Sequence, residues 1–214
     1  MKKYNMFKYK IVENFLNTED FKALSNLDLK EIPDNSIKIY HNRISKEGVI
    51  SNECLNKNLV QNLFDNYHYK ALELLKDLCP EKVNLWDYSE FHIAQTGSKY
   101  YYPIHRDSPF KLLSGVIYLS PTKNKGTLLY RSKYDNDANE IPWKQNRGLF
   151  FSRSENHSYH SYEGDKQSTR LTLIYNLMTY DLKNVCKIEK INYQKVKARE
   201  YINPYLYRFF KKVL

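Results

Sequence analysis

His105-Arg106-Asp107 is the first place in this chain where residue types and spacing could do chemistry. Along a strand, residues i and i+2 share a face, so the imidazole and the carboxylate would meet in one cavity. That donor pair suits a borderline divalent metal. A second imidazole would complete a facial triad, which holds Fe(II) and leaves coordination positions open. Two residues compete for that role, His157 and His160, in the stretch Glu155-Asn156-His157-Ser158-Tyr159-His160. Arg170 follows, in Arg170-Leu171-Thr172-Leu173-Ile174-Tyr175-Asn176-Leu177. Alternation puts Arg170, Thr172, Ile174 and Asn176 on one face, toward the cavity. It puts Leu171, Leu173, Tyr175 and Leu177 on the other, against helices. A buried arginine needs a carboxylate partner, and its fork meets one through two parallel hydrogen bonds.

The order HxD, a histidine about fifty residues on and an arginine ten beyond it resembles the 2-oxoglutarate/Fe(II)-dependent dioxygenases. The similarity runs over about residues 85–177 and is nearest to the prolyl-hydroxylase-like branch and to small bacterial and phage oxygenases. In such proteins the distal histidine sits in a segment of the form that Ser158-Tyr159-His160-Ser161 shows. His160 also stands ten residues before Arg170, whereas His157 stands thirteen before it. The resemblance therefore implies His105, Asp107 and His160 as metal ligands and catalytic centre, with Fe(II) and 2-oxoglutarate as cofactors and ascorbate as reductant in vitro. It implies that Arg170 binds the far carboxylate of 2-oxoglutarate, with Tyr118 of Tyr118-Leu119-Ser120 beside it and Thr172 helping. The expected reaction is hydroxylation, with succinate and CO2 as co-products. Related halogenases carry a small residue where Asp107 stands. Related nucleic-acid dealkylases carry a second arginine six residues after the first, and Asn176 occupies that position here. Lys125-Gly126-Thr127 replaces the Gly-Gly-Glu of many relatives, and residues 96–102 are unusually rich in tyrosine, so no relative's substrate carries over.

The elements that must position these residues change character at Pro80. Before it, residues 9–15 read as a strand, and Asn17 or Thr18 with Glu19 and Asp20 reads as a helix start. Residues 55–78 carry a helical pattern through Leu59, Leu63, Tyr67, Leu74 and Leu78. After it come six short strands, near residues 85–94, 100–107, 112–119, 127–131, 147–153 and 169–177, with turn residues between them. The expected fold is α+β, mainly β: a double-stranded β-helix (jelly roll) with N-terminal helices packed on one sheet. A single domain over residues 1–214 is expected, with the core at about 85–180 and helical support at about 17–80. Asn203 as cap and Pro204 at the first position predict a basic amphipathic helix over about 203–214.

The bulk composition excludes little. A net charge of +10 attracts acidic partners, and an acidic substrate is expected, but the basic residues are scattered and mark no specific nucleic-acid module. Cys54, Cys79 and Cys186 are too far apart for a disulfide framework, and residues 1–10 lack an apolar leader core, so a cytoplasmic location is expected. The C-terminal helix could touch a membrane surface, although packing on the protein itself is the expected role. Lys111 and Gln95 are secondary pocket candidates, with a solvated lysine the plainer reading of the first. His41, His68 and His92 read as structural or surface residues. Two other function classes fit the same residues: a jelly-roll binding protein with a vestigial metal site, and a basic protein that binds nucleic acid or a membrane surface.

Overall fold

Strand-forming residues between Tyr88 and Met178 lie in two antiparallel sheets in a computed structural model of the chain, which describes residues 6–210. In chain order the elements are β1 (Lys10–Val12), α1 (Thr18–Ser25), β2 (Ile37–Tyr40), β3 (Arg43–Ser45), β4 (Ile50–Ser51) and α2 (Lys57–Leu78). A 3-10 turn, Pro80–Leu85, leads into β5 (Tyr88–Thr96), β6 (Tyr101–His105), β7 (Lys111–Ser120) and β8 (Thr127–Tyr130). Then come β9 (Asn139–Ile141), β10 (Gly148–Phe151), β11 (Tyr159–Glu163), β12 (Arg170–Met178), α3 (Leu182–Ile188) and α4 (Tyr193–Phe210). The larger sheet runs β1-β10-β7-β12-β5-β3-β4, with β2 also paired to β5; the smaller runs β6-β11-β8-β9.

The helices form because their ends are capped and one stripe is apolar. Asn17 caps α1, its Oδ1 accepting from the Asp20 amide at 2.8 Å. Asn56 caps α2 by accepting from the Leu59 amide at 2.8 Å, and Pro80 stops that helix. The buried stripe of α2 is Val60, Leu63, Tyr67, Ala71 and Leu75. It packs on the outer face of the large sheet, where Leu171, Leu173, Tyr175 and Leu177 of β12 meet Phe91, Ile93, Leu113 and Ile117. Asp20 ties the two helices together by accepting from the Tyr67 hydroxyl at 2.6 Å. The outer face of β12 thus has the partners its alternation predicts, and its inner face is left for the cavity.

Several elements depart from the sequence expectation. The segment expected to be helical support also contributes β2, β3 and β4, which extend the large sheet past β5. Residues 159–163 form β11, the central partner of β6 and β8, where polar composition hides a strand. The last helix begins at Tyr193 rather than at Asn203. Asn192 caps it, accepting from the Lys195 amide at 2.9 Å, so Asn203 and Pro204 lie inside the helix. The apolar stripe expected through Leu206, Phe209, Phe210 and Val213 falls outside the described side chains. No helix among the described residues is long and apolar enough to cross a membrane.

Candidate metal centre

β6 and β11 pair antiparallel with His105 directly opposite His160, and the two rings lie 4.2 Å apart. Each ring turns its Nδ1 to the carbonyl two residues earlier: His105 to Pro103 and His160 to Ser158, both at 2.9 Å. A carbonyl only accepts, so Nδ1 carries the proton in both rings and Nε2 keeps its lone pair for an ion.

Asp107 reaches the same point from outside the strand. β6 ends at His105, and Asp107 lies in the turn that leads to β7. Its carboxylate is aimed by two donors rather than by strand alternation. The Ser114 hydroxyl donates to Oδ2 at 2.6 Å and the Lys111 ammonium to Oδ1 at 2.8 Å. Oδ2 stands 4.0 Å from His160 Nε2. One donor atom from each of His105, Asp107 and His160 lies within 4.8 Å of the others. Bond lengths of about 2.0–2.2 Å to a shared ion would need only small side-chain adjustments from there.

Electrostatics put all three groups in their ligating forms. Burial, helped by His160, drives His105 down to about 3, and burial also lowers His160 against the pull of Asp107. Both imidazoles are therefore neutral at neutral pH. Burial pushes the Asp107 carboxyl up, but Lys111 and the two imidazoles outweigh it and hold the group well below the usual carboxylate range. Two neutral imidazoles and one carboxylate are the right charge states for a divalent cation.

The centre opens onto a cavity of about 340 Å³. Its floor is the inner face of the large sheet, read in rows across β5, β12 and β7. Thr96 pairs with Arg170, Ala94 with Thr172 and Tyr118, His92 with Ile174 and Val116, and Glu90 with Asn176 and Ser114. Arg170, at one end, is only 5% exposed. Its Nε and Nη1 are buried with no hydrogen-bond partner among the described residues. Its guanidinium lies 3.8 Å over the Tyr162 ring, with Tyr118 and Trp143 at 5.5 and 5.3 Å. A buried guanidinium with no carboxylate partner among the described residues is a fitted receptor for one.

No family model and no curated protein matches the sequence. Solved structures do match. A Pseudomonas putida prolyl-4-hydroxylase aligns with a TM-score of 0.52 at 14% identity, covering 80% of this chain and 92% of that one. A Burkholderia pseudomallei oxidoreductase of the 2OG-Fe(II) oxygenase family gives 0.53 at 14% identity, covering 79% and 84%. The viral collagen prolyl hydroxylase of Paramecium Bursaria Chlorella virus-1 gives 0.53 at 14% identity, covering 80% and 89%. The chain has the fold of these oxygenases.

Other residues singled out in the sequence take varied places. Thr172 lines the cavity beside Arg170, whereas Tyr118 offers the guanidinium its ring. The Tyr118 hydroxyl is engaged elsewhere, donating to Thr127 Oγ1 at 2.9 Å and accepting from the Thr127 amide at 3.1 Å. Lys111 is not free, because it holds Asp107. Gln95 lies on the opposite face of β5 from the cavity and donates to the Lys30 carbonyl at 3.2 Å. His157 is exposed in a turn and outside the cluster. His68 is structural, stacked on Phe64 and tilted against Trp86. His92 instead lines the cavity with Glu90 and Asn176. Alternation on β5, which puts Glu90, His92, Ala94 and Thr96 on one face, is the signal that reveals it.

The C-terminal segment walls the mouth. A second hollow of about 390 Å³ shares His105 and Asp107 with the first and is bordered by Arg199, Glu200 and Asn203 of α4. Buried ion pairs fasten this wall. Lys82 and Arg153 both hold Glu189, at 2.8 and 2.7 Å, while Arg106, Arg153 and Arg199 converge on Glu155. The Ser108 hydroxyl, next to Asp107, donates to Glu200 at 3.0 Å.

Proposed function

We propose that the protein is an Fe(II)- and 2-oxoglutarate-dependent oxygenase that hydroxylates its substrate. The observation that carries this reading is the buried guanidinium of Arg170, without a carboxylate partner among the described residues, in the same cavity as the His105, Asp107 and His160 donors. Either feature alone has a plainer explanation, as a structural arginine or a polar cluster. Together they match the two ends of a chelating dicarboxylate.

In this reading His105 Nε2, His160 Nε2 and the Asp107 carboxylate hold the ion. The carbonyls of Pro103 and Ser158 fix the imidazole tautomers. Ser114 and Lys111 keep the carboxylate aimed and ionised. Arg170 takes the far carboxylate of 2-oxoglutarate, with the Tyr162 and Tyr118 rings against its guanidinium and Thr172 beside it. Iron, when bound with 2-oxoglutarate and O2, supplies the oxidation that yields succinate and CO2 and places a hydroxyl on a substrate carbon. Ile37, Ile39, Val116 and Ile174 give the cavity apolar walls that limit water around the reacting groups.

The test is succinate formation from 2-oxoglutarate by purified protein with Fe(II) and ascorbate. Wild type is expected to form succinate, and His105→Ala is expected to abolish it. Protein that binds neither Fe(II) nor 2-oxoglutarate would overturn the reading. Binding of both without turnover, whatever the substrate supplied, would favour a vestigial site.

A further inference from the structure

The end of the cavity farthest from Arg170 is built from acceptors. Asn176 lies six residues along β12 from Arg170, about 20 Å at the rise of a strand. It is 1% exposed. Its Nδ2 donates to Glu90 Oε2 at 2.9 Å, which fixes the amide, since the flipped amide would set two acceptors face to face. Its Oδ1 is buried in a residue that lines the cavity, and no described residue donates to it. The other Glu90 oxygen, Oε1, has His92 Nε2 for a neighbour at 3.7 Å, too far for a hydrogen bond. His92 adds no positive charge, because burial lowers it to about 4 despite Glu90. Lys111, the cation on this side, is bonded to Asp107. Among the described residues Glu90 has no ion pair but the long His92 contact, although Lys111 acts on it electrostatically, and it stands beside an unsatisfied amide oxygen.

We propose that this end is the substrate's recognition site and that it takes an ammonium group. An unsatisfied amide oxygen beside a carboxylate calls for a cationic N–H donor. The net charge of +10 suggests an acidic substrate, yet the cation the cavity leaves unpaired, Arg170, sits at the opposite end and suits the 2-oxo acid. Asn176 pairs across the sheet with Ser114, whose hydroxyl holds Asp107. An amine bound there would hold carbons near its nitrogen next to the metal centre. The site of oxidation follows from the oxygenase reading and rests on it; the binding of the amine does not.

Metal-free protein in a 1H–15N NMR titration separates the two. Butylammonium is the probe, with butyrate and 1-butanol as isosteric controls at neutral pH. Butylammonium is expected to shift the Asn176 side-chain amide, and its affinity is expected to fall at least tenfold in Glu90→Gln. Asn176→Leu is expected to do the same, and Glu90→Gln keeps the test valid if that variant fails to fold. The proposal is overturned if butyrate or butanol shifts the Asn176 side-chain amide with equal affinity, if Glu90→Gln leaves the affinity unchanged, or if butylammonium does not bind. Mn(II)-dependent binding of 2-oxoglutarate, measured separately, reports on the oxygenase reading. Its loss with Glu90-dependent amine binding intact would sink that reading and leave this one standing.

Discussion

Replacing Arg170 with methionine separates a ligand receptor from a structural arginine. A buried arginine paired within the protein is worth about 3–5 kcal/mol when removed, because its partner is left uncompensated. For a chain of this size that is a fall of roughly 6–20 °C in melting temperature, at about 2–4 °C per kcal/mol. Arg170 has no such partner among the described residues. Its buried Nε and Nη1 are unsatisfied, a penalty of about 1–3 kcal/mol each. The Tyr162 face 3.8 Å away returns about 0.5–2 kcal/mol of cation–π attraction. The penalty is at least as large as the return, so Arg170→Met, which keeps most of the volume, is expected to lower the ligand-free melting temperature by no more than about 4 °C. Ligand binding should behave in the opposite way. Removing one member of a buried, hydrogen-bonded charge pair costs about 2–5 kcal/mol, or roughly 30- to 4,000-fold in 2-oxoglutarate affinity. With Mn(II) present, 2-oxoglutarate at about 100 times its Kd should stabilise wild type by about 2.7 kcal/mol, a rise of about 5–11 °C. The variant should show almost none of it at the same concentration. Scanning fluorimetry reads both quantities. A large fall without ligand, together with a preserved 2-oxoglutarate shift, would refute the reasoning.

The competition between the two histidines is settled by a pair of variants. His160→Ala should abolish Mn(II) binding in calorimetry, whereas the exposed His157→Ala should leave it unchanged; the reverse pattern would move the third ligand to His157. The clamp on the C-terminal wall should be acid-sensitive. Burial pushes Glu155 up, but Arg199, Arg153 and Arg106 outweigh it and lower its carboxyl from 4.5 to about 2. A depressed folded value means that its stabilisation is complete above the unfolded value and is lost as pH falls from about 4.5 toward 2. Hydrogen exchange in α4 should therefore accelerate over that window in wild type. In Glu155→Gln it should be fast already at neutral pH, and equal protection in the two proteins at pH 7 would contradict the clamp.

The parts of this fold that were legible in the sequence are those in which one periodicity has one cause. β12 alternates because apolar residues face α2 and polar ones face a cavity, so both its strand character and its inner face can be read from Arg170 to Leu177. α2 is long and its stripe is buried on one side only. β11 was hidden because His160 and Ser161 are buried polar residues, so burial and hydrophobicity do not coincide there. β2, β3 and β4 have two to four residues each, too few for alternation to show, and they exist as strands through pairing with β5 and with each other. Asp107 has the right residue type at the right spacing, but two side chains, Ser114 and Lys111, aim it from outside the strand. The Tyr118 hydroxyl could not be followed from sequence, because Thr127 claims it from a strand nine residues away. The acceptors Glu90 and Asn176 come together only through the register of β5 with β12, which no single segment encodes.

A crystal structure with Mn(II) and 2-oxoglutarate tests the assignment most directly. The expected density has the ion on His105 Nε2, His160 Nε2 and the Asp107 carboxylate, and the far carboxylate of 2-oxoglutarate on the Arg170 guanidinium. An ion bound through His157 or elsewhere, or a 2-oxoglutarate carboxylate that bypasses Arg170, would contradict it.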